Sequence, residues 1–241
     1  MLFPSPLQPG VLLRRYKRFL ADIRLDTGEE LTAHCPNPGS MMGVAPTGAR
    51  AWVSRSPSKT RKLPFTFELI EIDGALVAIN THNPNKIAEE AISLGAIPEL
   101  TGYETLRREV KYGENSRIDI LLEGGRRNAP AYVEIKNVHL MRQTGLAEFP
   151  DCVTTRGTKH LEELSRQAKN GARAVMLYIV QRGDCHKFAP AADLDPAYAA
   201  ALHTARASGV ETLCYDCEIT TSEVRLRKAL PIDFPAEEPV T

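Results

Sequence analysis

The stretch "NSRIDILLEGGRRNAPAYVEIKNVHL", residues 115–140, holds two strand-like runs separated by a polar turn. Each run carries charge where a buried strand should not. Asp119 sits inside Ile118-Asp119-Ile120-Leu121-Leu122, and Glu134 and Lys136 flank Ile135 in Tyr132-Val133-Glu134-Ile135-Lys136-Asn137-Val138. Successive side chains in a strand alternate faces, so Glu134 and Lys136 point one way and Ile135 the other. Two such strands side by side can bring Asp119 onto the same face. A buried charge persists only when it is paired or bound to metal. Two neighbouring carboxylates repel, and a divalent cation relieves the repulsion. Mg²⁺ takes one or two carboxylates together with waters and phosphate oxygens. The lysine can then orient or deprotonate an attacking water, or stabilise developing charge. That combination suits phosphodiester hydrolysis. The same three residues also satisfy an ordinary ion pair at a strand end, and their spacing leaves both readings open.

The chain of 241 residues is long enough for two small domains. Composition is that of a soluble globular protein, with 43% hydrophobic and 25% charged residues. Thirty lysines and arginines balance thirty acids, which excludes a basic nucleic-acid arm or an acidic tail as the character of the whole chain. The balance is uneven along it: residues 1–66 hold ten basic and four acidic side chains, a surplus of +6 that hints at a polyanionic partner. No segment approaches the ~20 apolar residues of a membrane span, and Met1-Leu2-Phe3-Pro4-Ser5-Pro6 does not read as a secretory leader. Five scattered cysteines, Cys35, Cys152, Cys185, Cys214 and Cys217, suit a reducing cytoplasm.

The period of the hydrophobic pattern divides the chain. Residues 1–82 read as β. Phe19, Ala21, Ile23 and Leu25 alternate, then Leu31, Ala33 and Cys35, then 49–54, then Phe65, Phe67 and Leu69, and Asp73-Gly74 marks a hairpin into 76–80. Five short strands predict a small barrel, of which the OB fold is one type. Residues 83–234 alternate helices and strands. Helices are expected over 85–94 with Asn85 as N-cap, 159–168 and 196–208; strands over 107–112, 118–122, 131–138, 174–180 and 210–214. This predicts an α/β domain with a mixed sheet flanked by helices. Residues 235–241 read as a flexible tail.

The segments "RYKRFLADI", "HCPNPGSM", "NSRIDILL", "YVEIKNVHL", "FPDCVTTRGTKHLEEL" and "VQRGDCHKFAPAADLDPAY" resemble, in order, the sugar fermentation stimulation protein A family over roughly residues 10–220. The Asp…Glu-x-Lys pattern resembles the core of the PD-(D/E)xK nucleases. The resemblance implies an N-terminal OB-type barrel and a C-terminal PD-(D/E)xK-like domain. It also implies DNA as partner, duplex or single-stranded, and a link to regulation of maltose metabolism. Asp119, Glu134 and Lys136 become the expected catalytic set, with Asp119 and Glu134 as ligands of Mg²⁺ or Mn²⁺. The superfamily often adds an acid from the helix before the core strands; Glu90 is the first candidate, Glu89 the second and Glu109 the third. The alternative function is a non-catalytic DNA-binding transcriptional regulator.

Other stretches carry weaker signals. In "FPDCVTTRGTKHL", residues 149–161, Gly157 precedes a helix whose N-terminus suits a phosphate, and Arg156, Lys159 and His160 add charge. Arg14, Arg15, Lys17 and Arg18, with Arg50, Arg55, Lys59, Arg61 and Lys62, suit a nucleic-acid face on the barrel, and Tyr16, Phe19 and Trp52 are available to stack on bases. Cys214-Tyr215-Asp216-Cys217 lacks the second ligand pair that zinc needs and reads as structural, as does His34 beside Cys35.

Overall fold

Short, alternating strands joined by Gly- and Asp-containing turns build the first unit. The computed structural model describes residues 1–113, 116–127 and 129–234; the tail expected at 235–241 lies outside them. The strands are β1 (Gln8–Tyr16), β2 (Leu20–Leu25), β3 (Glu30–His34), β4 (Arg50–Arg55), β5 (Phe65–Ile72) and β6 (Ala75–Ala78). They lie in the order β3-β2-β1-β4-β5-β6, and a parallel β3–β5 contact between His34 and Thr66 closes the first five into a barrel. Leu12, Ile23, Val53 and Phe67 fill its interior. The expected count of five is right, but one member differs. The first barrel strand is β1, and β6 continues the sheet outside the closed ring. Alternation in β1 is hidden by Pro9-Gly10 and the basic run at Arg14-Arg15; only Gly10 and Leu12 are buried in it. Gly10 is required there because β2 passes so near that an added Cβ would lie 2.5 Å from the Arg24 carbonyl oxygen. The β5–β6 hairpin turns as expected at Asp73-Gly74, both with positive φ, as a tight two-residue turn demands.

The second unit opens with α1 (Asn83–Ser93), then β7 (Thr105–Tyr112), β8 (Ser116–Glu123), β9 (Ala131–Val138), β10 (Leu140–Gln143), β11 (Leu146–Phe149), α2 (Thr155–Lys169), β12 (Arg173–Val180), β13 (Lys187–Pro190), α3 (Pro196–Ala207), β14 (Glu211–Ile219) and β15 (Val224–Ala229). Its main sheet has the order β15-β14-β12-β9-β8-β7, with β9, β12 and β14 parallel and the outer pairings antiparallel. A core cluster that includes Ile87 and Ala91 lies between α1 and one face; Leu161, Leu164, Tyr198 and Leu202 of α2 and α3 cover the other. β12 is therefore apolar almost throughout. A small sheet, β10-β11-β13, stands beside it.

Helix starts differ from the expected ones for local reasons. Asn85 is not a cap: α1 begins at Asn83, after His82, with Pro84 in its first turn. α2 begins at Thr155 because the Thr154 hydroxyl accepts from the Gly157 N–H at 3.1 Å. Cys214 and Cys217 do not end a strand; they lie within β14 on opposite faces, in separate core clusters, and burial pushes both thiols up. All five cysteines are free. Among the described residues no helix is long and apolar enough to cross a membrane.

Gly10→Val should destabilise the barrel by roughly 1–3 kcal/mol, the usual penalty for overpacking. Denaturant unfolding followed by Trp52 fluorescence would measure it, and an unchanged midpoint would contradict the close β1–β2 approach.

Candidate active site at the parting of β8 and β9

β8 and β9 pair through Ile120–Val133 and then separate. The ladder stops one residue before Asp119 and Glu134, leaving the Ile135 N–H without a strand partner. The Asp119 carboxylate takes that place: its Oδ2 accepts from Ile135 N at 2.7 Å, and its Oδ1 accepts from Asn85 Nδ2 of α1 at 2.8 Å. Both partners are neutral. Burial first, and the nearby Glu134 charge second, push the Asp119 carboxyl up to about 6.

Glu134 is held differently. It is only 2% exposed. Its Oε1 accepts from Lys136 Nζ at 2.7 Å and meets His160 Nδ1 in a short hydrogen bond. Burial alone would raise this carboxyl; Lys136 and His160 outweigh it and hold it below the usual glutamate value. Glu134 Oε2 is buried with no partner. Arg156 Nε donates to His160 Nε2 at 3.3 Å, while His160 Nδ1 faces both Glu134 Oε1 and, at 3.1 Å, Lys136 Nζ.

His160 is thus not the surface cation expected from "RGTKHL". It is 5% exposed and belongs to the Glu134–Lys136 network. A second residue of α2 went unnoticed in the sequence. Glu163 is 1% exposed, with neither oxygen hydrogen-bonded and Lys159 and Arg166 at 3.9 and 4.0 Å. Its position among the acids shows in Tyr112, whose hydroxyl is pushed up first by burial and then by Glu134, Glu163 and Asp119. The signal was present: Gly157, His160 and Glu163 recur at three-residue spacing on the face that carries Leu161 and Leu164.

The helix acids fall elsewhere. Glu90 is half exposed and pairs with the Met1 ammonium, while Glu89 pairs with Arg108 at 3.1 Å. Glu109 is exposed on β7. It is Asn85, one turn before Glu89, that reaches Asp119. Arg156 is exposed at the start of α2, bonded to His160; Lys159 is half exposed and leans toward Glu163.

The barrel docks beside α2. Asp151, just before it, accepts from Met41 N at 2.9 Å and Ser40 Oγ at 3.1 Å, with His139 Nε2 3.5 Å away. Burial would raise this carboxyl, but His139, the Met41 N–H and Ser40 hold it well below the usual range. Arg15 serves the same junction. Its Nη2 donates to Asn37 O at 2.9 Å and Gly39 O at 2.8 Å, so it struts the turn that meets Asp151 and is not a free cation. Lys17 and Arg18, by contrast, form the exposed β1–β2 turn with positive φ, and the Arg18 charge acts on the thiol of Cys152. Of the aromatic residues, Phe19 is 53% exposed, Tyr16 donates to Asp22, and Trp52 packs against the core beneath α1. Arg14 and Arg50 are paired with Asp22 and Asp26.

A raised acid stabilises the fold below its unfolded value and loses that contribution as pH rises through the folded one. In chelator, the wild type should therefore lose on the order of 2–3 kcal/mol relative to Asp119→Asn between pH 4 and pH 7. Parallel urea titrations across that range check this; a difference independent of pH would mean that burial beside Glu134 does not raise the Asp119 carboxyl.

The comparisons with known proteins agree over nearly the whole chain. The model described as "SfsA N-terminal OB domain" matches residues 13–79, and "Sugar fermentation stimulation protein RE domain" matches 82–223. A sugar fermentation stimulation protein homolog of Rhodospirillum centenum is 57% identical over 95% of this chain and 98% of its own. That of Caulobacter vibrioides is 53% identical over 95% and 96%. The solved structure of Pyrococcus furiosus SfsA in complex with Ca²⁺ is 29% identical, covers 97% of this chain and 98% of its own, and superposes with a TM-score of 0.87. The chain belongs to the sugar fermentation stimulation protein family.

Proposed function

We propose that this protein binds DNA and hydrolyses phosphodiester bonds at the Asp119–Glu134–Lys136 cluster with a divalent cation. The observation that carries the reading is the parting of β8 and β9, which gathers the buried Glu134 carboxylate, the partly buried Asp119 carboxylate and a lysine at one point. The donors fit a hard cation. Glu134 Oε2 is buried without a partner, and Asp119 has only neutral hydrogen-bond donors against the adjacent Glu134 charge. Oxygen donors suit Mg²⁺ or Mn²⁺, and the archaeal relative was solved in complex with Ca²⁺, another oxygen-seeking cation. Among the described residues no three His, Cys, Asp or Glu side chains converge on one ion position. Asp119 and Glu134 would be the protein ligands, with water and substrate oxygens completing the shell. A bound cation would polarise the phosphoryl group and lower the pKa of a water.

The chain's own residues do the rest. Lys136 Nζ, tethered to Glu134 Oε1, holds a proton and a positive charge where the phosphorane charge develops. His160 fixes Glu134, and Arg156 fixes His160 while its remaining guanidinium nitrogens reach solvent at the start of α2. There a phosphate meets both the guanidinium and the free N–H groups of the helix. The barrel supports the reading from the other side. Lys17 and Arg18 in the β1–β2 turn, and Lys59, Arg61 and Lys62 between β4 and β5, occupy the two loops through which OB folds commonly take oligonucleotides.

Purified protein incubated with DNA and RNA in Mg²⁺, Mn²⁺ or chelator tests the activity. Cleavage should require the cation and vanish in Lys136→Ala, while calorimetry shows cation affinity in Lys136→Ala within a few fold of wild type and abolished in Asp119→Asn. DNA binding without cleavage by the metal-loaded wild type would favour a non-catalytic regulator. Because Asp119 titrates near 6, cation affinity should fall as pH drops below that value. Arg156→Ala should weaken DNA binding roughly tenfold to a hundredfold, the worth of one charge-assisted hydrogen bond, with an unchanged melting temperature. Charge reversal at Lys17, Arg18, Lys59 and Lys62 should flatten the salt dependence of binding, by about 0.9 in log–log slope for each duplex phosphate no longer neutralised. An unaltered slope would move the binding face off these loops.

A further inference from the structure

A concavity of about 270 Å³ opens where the β3–β5 seam of the barrel meets the first turn of α1. Five basic side chains line it: His34, Arg55 and Arg61 from the barrel, and His82 and Lys86 from α1. Its one acid among the described residues is Glu68, whose oxygens are already taken by Ser54 Oγ at 2.7 Å and Asn80 Nδ2 at 2.8 Å. The α1 terminus adds partial positive charge that nothing on the helix offsets. His82, at the N-cap, makes no side-chain cap, and the first turn holds no acid. Asn83 lines the same cavity, is 5% exposed, and its Nδ2 has no hydrogen-bond partner. A buried amide donor without an acceptor is costly and marks a missing one. The local field is positive enough to act on His34, which burial first, and Arg61 and His82 next, hold below the ordinary histidine value.

An anion answers each of these features. Donors arrive from the β4–β5 loop and a helix end, a spread that suits a tetrahedral oxyanion better than a planar carboxylate. We propose that this cavity binds a phosphate monoester through Arg61, His82, Lys86 and Asn83, as a site separate from the Asp119–Glu134 cluster. It goes beyond the hydrolytic reading and does not depend on it. The two sites share one turn of helix: Asn83 and Lys86 line the cavity, and Asn85 between them holds Asp119.

Calorimetry on the full-length protein in chelator tests the site. The probes are inorganic phosphate, a nucleoside 5′-monophosphate, and one oligonucleotide bearing either a 5′-phosphate or a 5′-hydroxyl. Phosphate should bind wild type, and His82→Ala with Lys86→Ala should weaken it by at least roughly tenfold. Asp119→Asn should leave it unchanged. Arg61→Ala, on an exposed loop, gives an independent reading of the same effect. If the ligand is a strand terminus, only the 5′-phosphorylated oligonucleotide is weakened by the double variant. If it is a free phosphate ester, the nucleoside monophosphate is weakened and both oligonucleotides bind alike. No phosphate binding, binding indifferent to the double and Arg61 variants, or binding abolished in Asp119→Asn would each overturn the proposal. Because no divalent cation is present, a protein that fails to cleave DNA would still give a clear result here.

Discussion

Burying the Glu134 carboxylate is the constraint around which the second domain is organised. An isolated charge at that depth is not tolerated. Lys136, two residues on and therefore on the same face, supplies one partner, and His160 supplies the other from across the sheet–helix interface. His160 can serve only if the first turn of α2 lies close to β9. In that turn Gly157 leaves room for the helix cap and for α3: an added Cβ would lie 2.8 Å from the Thr154 side chain and 3.1 Å from Tyr198. Arg156 then holds the imidazole from its other nitrogen. A chain of local requirements thus runs from a strand residue to a helix cap.

The two carboxylates of the cluster are held unequally. Glu134 has a cation and an imidazole, so it stays ionised. Asp119 has a backbone amide and a carboxamide, which do not offset its burial beside a like charge. Such imbalance between neighbouring acids is a recurrent property of functional sites.

The barrel and the α/β domain are joined by specific polar contacts as well as by packing. Ala78 N–H of β6 donates to Gln181 O, so the strand that follows the barrel meets the chain just beyond β12 of the second unit, and Asp151 grips the loop at Ser40 and Met41. Arg15 stiffens that loop from behind. These contacts set the β1–β2 turn beside the segment that leads into α2.

The sequence by itself determined the class of both domains, because hydrophobic period changes from two to 3.6 where the barrel ends. It also marked Asp119, Glu134 and Lys136, because charge inside an apolar strand run is visible without coordinates. It failed where the deciding partner is remote in sequence. β1 was obscured since its alternation is broken by Pro9 and Gly10, and only pairing to β2 and β4 reveals it as a barrel strand. Glu90 and Asn85 lie on the same helix, and nothing in their spacing says which faces β8. Arg15 and Lys17 are equally basic, yet one is a strut and the other stands exposed at a turn. His160 reads as a surface cation and Glu163 as an ordinary polar residue of an amphipathic helix until packing puts both under the sheet. Pattern records which residues can be buried; only the tertiary structure decides which charges meet, since a side chain's partner is chosen by the packing of elements and not by neighbours in the chain.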